Sequence, residues 1–333
     1  MRQIEITKNQ SGQRLDKFLR KYMKEAPDGF VYKMLRKKNI TLNDRKAGGS
    51  EMLQPGDQIR LFLAEETLTG FGAGGKSDKD KELLDKSWAA YRKFGKLQIL
   101  YEDRHVLLLN KPAGILSQKA YPSDLSLNEW LIGYLLARKK ITEESLGTFH
   151  PSVCNRLDRN TSGIVICGKS LYGSQQMTRM LKERTLHKYY LLYVEGRMEK
   201  GQSVHGYLYK DSRSNKAAIS QTPVPGSAGI ATAYRPIETG REETLVEAEL
   251  ITGKTHQIRA HLASEGFPLV GDPKYGDAAK NRSRKARYGI SFQLLHAYRL
   301  VFPMLEGELA PLSGAEIKAP VPKIFSRLGC RLP

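Results

Sequence analysis

Residues 155–163, Asn-Arg-Leu-Asp-Arg-Asn-Thr-Ser-Gly, run straight into Ile164-Val165-Ile166-Cys167. Four consecutive apolar residues behind a Thr-Ser-Gly turn read as a buried strand, so the loop before them is held at one end by a sheet. The single carboxylate of that loop, Asp158, stands between Arg156 and Arg159. A carboxyl with an ordinary pKa of about 3.9 is ionised at neutral pH, and a neighbouring cation favours the charged form. Held at a loop-to-strand junction, such a group can serve as nucleophile or base without a separate activator. The competing reading is a solvated loop with two ion pairs.

Further β-like runs at 106–109, 189–194 and 244–251 alternate with helical stretches such as 171–183. No Gly-x-Gly-x-x-Gly follows a strand and no Walker-type loop occurs. The pattern is a mixed α/β sheet protein and not a Rossmann fold. The balance of 54 basic against 35 acidic residues leaves a formal charge of +19. Such an excess favours a polyanion, because each phosphate neutralised releases condensed counterions. No apolar run is long enough for a membrane span, and Met1-Arg2-Gln3-Ile4-Glu5 lacks a signal peptide's apolar core. Three cysteines, Cys154, Cys167 and Cys330, form no Cys-x-x-Cys pair. His150 and Cys154 are four apart, but no second ligand pair follows, so no metal is expected. The expectation is a cytoplasmic monomer.

Residues 1–64 read as a separate small unit. Leu15, Phe18, Leu19 and Tyr22 fall on one helical stripe, with Lys17, Arg20, Lys21 and Lys24 largely on another. Val31, Met34 and Leu35 suggest a second helix, flanked by Lys33, Arg36, Lys37 and Lys38. Ile40-Thr41-Leu42-Asn43 alternates like a strand, and Pro55-Gly56-Asp57 is a turn signal before another. Two adjacent cationic helices suit a phosphate backbone. Residues 65–95, with four glycines between 70 and 75 and a charged stretch after them, read as a flexible linker. A helix is expected within it around residues 83–94, docking through Leu84, Trp88 and Tyr91.

Two segments supply groups that an anionic Asp158 needs. In Thr252-Gly253-Lys254-Thr255-His256-Gln257-Ile258-Arg259-Ala260-His261-Leu262 a strand ends at a glycine turn. Thr255 then caps a helix packed by Ile258 and Leu262 and stopped at Gly266. Arg259 falls near the N-terminal turn, where the helix dipole disfavours a cation by roughly 0.3–1 kcal/mol. A residue set against local preference points to another assignment, here an ion pair with Asp158; the plainer reading is a stem covering apolar surface. In Lys188-Tyr189-Tyr190 the tyrosines must point to opposite faces of a strand, one to the core and one to a cleft where a ring can stack on a base.

Residues 12–64 resemble the small RNA-binding domain named after ribosomal protein S-four, through Arg14-Leu15-Asp16-Lys17-Phe18-Leu19, Leu35-Arg36-Lys37-Lys38-Asn39-Ile40-Thr41-Leu42-Asn43 and Pro55-Gly56-Asp57-Gln58-Ile59. Residues 97–305 resemble the RluA-type family of RNA pseudouridine synthases. The matching segments are Asn110-Lys111-Pro112-Ala113-Gly114-Ile115, Arg156 to Gly163, Lys188-Tyr189-Tyr190, Thr252 to Arg259, Gly271-Asp272-Pro273-Lys274-Tyr275-Gly276 and Leu295-His296-Ala297. Two positions depart from the family's habit: Asn155 stands where His is frequent, and Lys254 where Arg is frequent.

The resemblance implies an α+β fold: a mixed, largely antiparallel catalytic sheet crossed by a cleft (residues 96–333), behind a small N-terminal α/β domain. It assigns Asp158 as the catalytic aspartate, Arg259 as its ion-pair partner and Tyr190 as the residue against the target base. RNA contacts are expected from Arg156, Arg159, Lys188, Lys254, His256 and Gln257, and from Lys17, Arg20, Lys21, Arg36, Lys37 and Lys38 of the N-terminal unit. The implied chemistry detaches uracil from ribose at N1, rotates it and reattaches it through C5, without a cofactor. A stacked base must first be flipped out, at a cost of a few kcal/mol. Large-subunit ribosomal RNA is the expected substrate. The alternatives are transfer RNA, a non-catalytic RNA-binding assembly factor, and a glycosidase or nuclease using the same carboxylate. Lys280-Asn281-Arg282-Ser283-Arg284-Lys285-Ala286-Arg287, lacking an apolar period, reads as a mobile basic loop.

Overall fold

The computed structural model describes residues 1–8, 10–73, 78–147, 149–211 and 216–329. The N-terminal elements are β1 (Arg2–Glu5), α1 (Leu15–Tyr22), α2 (Phe30–Arg36), β2 (Ile40–Leu42), β3 (Arg45–Lys46) and β4 (Gln58–Leu61). The strands form an antiparallel sheet in the order β1-β4-β2-β3. The apolar stripe of α1 makes its buried face: Leu15, Phe18 and Leu19 are fully enclosed and pack with Leu35, Ile40, Ile59 and Leu61. The cations of the other stripe stay exposed.

The expected linker is helical on both sides of the undescribed residues 74–77. Helix α3 (Glu65–Gly70) buries Leu68 in the N-terminal core, and Phe71 packs edge-on against Phe30. Helix α4 (Asp78–Phe94) lies against α5 (Leu127–Ala137), with Ala90 buried and Tyr91 beside Trp130. The closeness of that contact rests on Gly133, where a Cβ would meet the Ser87 carbonyl at 2.5 Å. Composition signalled a tether; the apolar spacing within it governs instead. Cys330 lies outside the described residues.

The larger sheet takes its strands from β5 (Gln98–Glu102), β6 (Val106–Lys111), β7 (Ser152–Val153), β8 (Ser162–Gly168), β9 (His187–Glu195), β10 (Gln202–Asp211), β11 (Lys216–Ser220), β12 (Ala228–Thr239), β13 (Glu243–Leu250), β14 (Leu295–Val301) and β15 (Glu316–Lys318). Its path is β11-β10-β12-β13-β9-β14-β8-β6-β5, with β7 on β8 and β15 on β14. Among the described residues every pairing is antiparallel except β14 with β8. Alternation sorts side chains between the faces. Leu107, Leu109, Val165 and Leu192 join α5 on one face, with α7 (Gln257–Ser264) contributing Ile258 and Leu262. Val106, Leu108, Ile164 and Ile166 meet Met177 and Met180 of α6 (Leu171–Glu183) on the other. Ser170 caps α6, its hydroxyl accepting the Gly173 N–H at 3.0 Å.

Residues 280–287 are not a loop: they lie inside helix α8 (Ala278–Tyr288), capped by the Asp277 side chain at 2.7 Å from the Lys280 nitrogen. The segment lacks an apolar period because a salt bridge takes the place of apolar packing. Arg284 is buried and bonds Glu243 at 2.7 Å.

The parallel β14–β8 pairing positions the loop of residues 155–163. Gly163 lies opposite Ala297, has φ +112°, and a Cβ there would come within 2.2 Å of the Ala297 carbonyl oxygen. Only glycine fits a strand junction this close. Gly163→Ala is expected to lower the stability of the large sheet by roughly 2–5 kcal/mol, combining overpacking with a strained φ. Urea unfolding followed by the fluorescence of Trp88 and Trp130 measures the loss, and an unchanged midpoint contradicts the packing account.

Candidate active site

Four segments distant in sequence meet at the end of β8. The loop before it carries Asp158, and β9 carries Tyr190. The N-terminal turn of α7 carries His256 and Arg259, and the segment leading into α8 carries Asp272 and Tyr275. Arg259 Nη1 donates to Asp158 Oδ2 at 2.7 Å across 101 residues of chain. The same guanidinium forks onto Asp272, with Nε to Oδ2 at 2.7 Å and Nη2 to Oδ1 at 2.8 Å. The Asp272 side chain is completely enclosed, whereas 24% of the Asp158 side chain remains open. One cation therefore joins a buried anion to a reachable one.

Burial alone would raise the Asp272 carboxyl, but the Arg259 hydrogen bonds and the Lys274 and Tyr275 N–H groups hold it below its ordinary value. Arg259 is held above its own ordinary value by the two carboxylates, against the opposing effect of burial. The flanking arginines have a different place from the one expected. Arg156 and Arg159 are exposed; among the described residues the cation paired with Asp158 is Arg259, and His256 Nε2 stands 3.7 Å from the same oxygen.

His256 begins α7 in the left-handed region, with φ 58° and ψ 17°, so the cap falls here and not at Thr255. Its ring orientation follows from one hydroxyl. The Tyr275 oxygen accepts the Ala217 N–H at 3.0 Å and lies 3.0 Å from His256 Nδ1. Its proton is then free to go to Nδ1, which leaves the Nε2–H facing Asp158. Burial, with Arg259 and Lys274 adding to it, lowers the His256 pKa and outweighs the pull of Asp158, so the ring is neutral at pH 7. Tyr275 also faces the Arg259 guanidinium at 5.2 Å.

Tyr190, Ala297 and Gly163 form one lateral row across β9, β14 and β8. At 4.7–4.9 Å per strand this sets Tyr190 about 10 Å from the loop junction. The ring is buried, and burial together with the Asp158 charge pushes its phenol well above the ordinary range. The phenol is therefore protonated at neutral pH. Tyr189 takes the opposite face and stacks under Arg299 at 3.7 Å.

Beneath the loop, fully buried Lys111 donates to the carbonyls of Pro112, Ile115 and Arg159 at 3.0, 2.9 and 3.0 Å. Burial lowers its pKa to about 7, with Asp158 opposing. Ser117 clasps both backbone groups of Leu157. Lys111 and Asp272 lie within the matching segments without a role assigned there, and Ser117 lies just beyond one of them. A single sequence does not say which distant carbonyl or guanidinium a buried group meets.

Of the other expected contacts, Lys254 is exposed, Lys188 is half-buried, and the six cations of the N-terminal unit are exposed. Gln257 points into the protein and not to the surface. It is buried, and its amide bonds Thr252, Lys254, Ala231 and Thr232. A cavity of about 390 Å³ adjoins the loop between Asn160, Gln293 and Phe325, but neither Asp158 nor Arg259 lines it. No group of three or more potential metal ligands occurs among the described residues.

The family profile described as RNA pseudouridylate synthase matches residues 105–264. Over 302 residues the chain is 30% identical to ribosomal large subunit pseudouridine synthase C of Vibrio vulnificus, spanning 90% of this chain and 87% of that protein. The chain belongs to the RluA-type family of RNA pseudouridine synthases. The protein of the same description from Escherichia coli is 29% identical over 301 residues, 90% of this chain and 88% of that one. A solved human structure, RNA pseudouridylate synthase domain containing 4, superposes with a TM-score of 0.54 at 19% identity, over 74% of this chain and 95% of the other. That likeness concerns the fold alone. The chain is accordingly an RNA pseudouridine synthase, and no helix among its described residues is long and apolar enough to cross a membrane.

Asp272→Asn leaves the buried Arg259 short of one charge and is expected to cost roughly 3–5 kcal/mol at neutral pH. Because the folded carboxyl is held below 3.8, its contribution is full above that value and fades as pH falls through the lower, folded one. The stability gap between wild type and Asp272→Asn should therefore close on acidification. Urea midpoints at pH 7 and pH 3 check this, and a gap that widens in acid refutes it.

Proposed function

We propose that this enzyme isomerises specific uridines of large-subunit ribosomal RNA, with Asp158 as the catalytic carboxylate. The observation that carries the site assignment is the shared guanidinium: Arg259 is immobilised by buried Asp272 and offers its remaining nitrogen to the one exposed carboxylate of the cluster. The substrate class is supported by the relatives, whose names describe ribosomal large subunit enzymes and which match along most of their length.

The target nucleotide leaves the stack and enters above Asp158, at a cost of a few kcal/mol that phosphate contacts on a +19 protein offset. Asp158, fixed by one charge-assisted hydrogen bond, keeps free lone pairs toward the open side and promotes cleavage of the bond from ribose to uracil N1. Tyr190, neutral and set in the sheet, gives the detached base a flat apolar wall for its rotation. Reattachment through C5 releases the C5 proton, and Tyr190, set against the base, assists its removal. The His256 Nε2–H provides a donor to base or sugar oxygens beside Asp158.

The exposed faces of α1 and α2 hold the RNA at a distance from the chemistry, through Lys17, Arg20, Lys21, Arg36, Lys37 and Lys38. Transfer RNA as substrate would appear as activity on that RNA in place of ribosomal transcripts.

Asp158→Asn preserves shape and removes the charge. Pseudouridine formation on a large-subunit ribosomal RNA transcript should fall by at least about 10⁴-fold, while RNA affinity changes little. Carbodiimide mapping with primer extension provides the readout. Normal turnover by the folded variant would overturn the assignment of Asp158.

A further inference from the structure

Helix α8 lies beyond the residues matched by the family profile, and its surface is of one sign. Residues 278–288 contain no acid, while Lys280, Arg282, Lys285 and Arg287 are exposed. A solvated helix ordinarily alternates charges, so that neighbours one turn apart attract. Arg284 takes Glu243 at 2.7 Å, Glu195 at 3.5 Å and Glu242 at 3.6 Å, and the capping Asp277 is the carboxylate whose charge acts on Lys280 and Arg282 at the start of the helix. Lys280 reaches Glu195 only at 3.8 Å and keeps 60% of its side chain open. It also sits in the first helical turn, where the helix dipole disfavours a cation.

The helix is locked in orientation. Arg284 fixes one face, and Arg327 donates to the Tyr288 carbonyl at 2.6 Å. Asn281 Nδ2 donates at 2.8 Å to the backbone carbonyl of Asp272, the residue that grips Arg259. At 100° per residue, Asn281, Arg284 and Tyr288 share the inner arc. Lys280 and Arg287 then lie on one shoulder, and Arg282 and Lys285 on the other. The four cations extend along about 10 Å of helix at 1.5 Å per residue, enough to meet more than one phosphate.

We infer that the outward arc of α8, bordered by Lys280 and Arg287 on one side and Arg282 and Lys285 on the other, is a docking strip for the phosphate backbone of the RNA substrate, held in fixed register with Asp158 through Asn281, Asp272 and Arg259. The inference rests on the activity proposed above for its choice of RNA, and it adds a surface outside both the N-terminal unit and the site itself. Phosphates gripped by a rigid helix set the position of the strand, and the linked guanidinium sets the position of the carboxylate that the everted nucleotide must reach.

The test uses the full-length protein with Lys280→Gln, Arg282→Gln, Lys285→Gln and Arg287→Gln combined. Glutamine keeps helix propensity and stem length, and circular dichroism and the urea midpoint verify folding. On a large-subunit ribosomal RNA transcript, KM should rise by about tenfold or more with a much smaller change in kcat. The slope of log affinity against log salt should flatten by about one for each phosphate that α8 no longer neutralises. The charge-retaining set Lys280→Arg, Arg282→Lys, Lys285→Arg and Arg287→Lys should restore both. Wild-type KM and an unchanged salt slope in the folded glutamine variant overturn the docking strip, whatever the enzyme's substrate. The same holds if the variant binds RNA normally but loses retention on polyglutamate, which assigns the face to an acidic protein. If wild type binds the transcript and the variant loses that binding while neither forms pseudouridine, the strip stands and the proposed activity falls.

Discussion

One guanidinium between two carboxylates organises the centre of this enzyme. Arg259 spends two nitrogens on Asp272, which is fully buried, and one on Asp158, which is not. The bidentate pair is the expensive part, since both charges leave water; the fork geometry and two further backbone N–H bonds to Asp272 offset that desolvation. Lysine could not substitute, because a single ammonium lacks the rigid fork needed to hold one anion while aiming at another. The result is a carboxylate that is oriented by a fixed charge and still accessible to a substrate.

The surrounding structure serves that geometry. The parallel contact of β8 with β14 brings the Asp158 loop beside the row containing Tyr190, and glycine at 163 is what permits the approach. Lys111 and Ser117 pin the loop from below by backbone carbonyls and one N–H, so its conformation does not depend on exposed Arg156 or Arg159. The left-handed turn at His256 starts α7 in the direction that delivers Arg259 inward. Tyr275 ties His256 to β11, and Asn281 ties Asp272 to α8. Elements from the β11 edge and from the middle of the sheet thus converge on a few atoms.

Where composition and spacing disagree in this chain, spacing governs. The glycine and charge content of residues 65–95 suggests a tether, yet Leu68, Phe71, Ala90 and Tyr91 are packed residues. The basic run at 280–287 suggests a loop because it has no apolar stripe. Its inner face is ionic, with Arg284 seated among glutamates that end or begin other strands. Gln257 resembles a polar contact residue beside Arg259, but one turn of helix geometry aims it into the sheet, where four groups satisfy it.

The chain's local order is largely written in its residues. Alternation marks the strands, the stripe of Leu15, Phe18 and Leu19 marks the first helix, and the loop ending at Gly163 marks the carboxylate. These signals are local because they depend on side-chain period and turn chemistry within a few residues. The partnership of Asp158 with Arg259 is legible only through family resemblance and the helix-dipole argument, and that of Arg259 with Asp272 is not legible at all. Contacts across 101 residues depend on strand order and on which face each strand presents. Tertiary folding alone decides that one arginine joins the two acids, that His256 turns its Nε2–H toward Asp158, and that α8 faces its cations outward. Each follows from burial and charge pairing among segments brought together by the sheet, which no short stretch of sequence encodes.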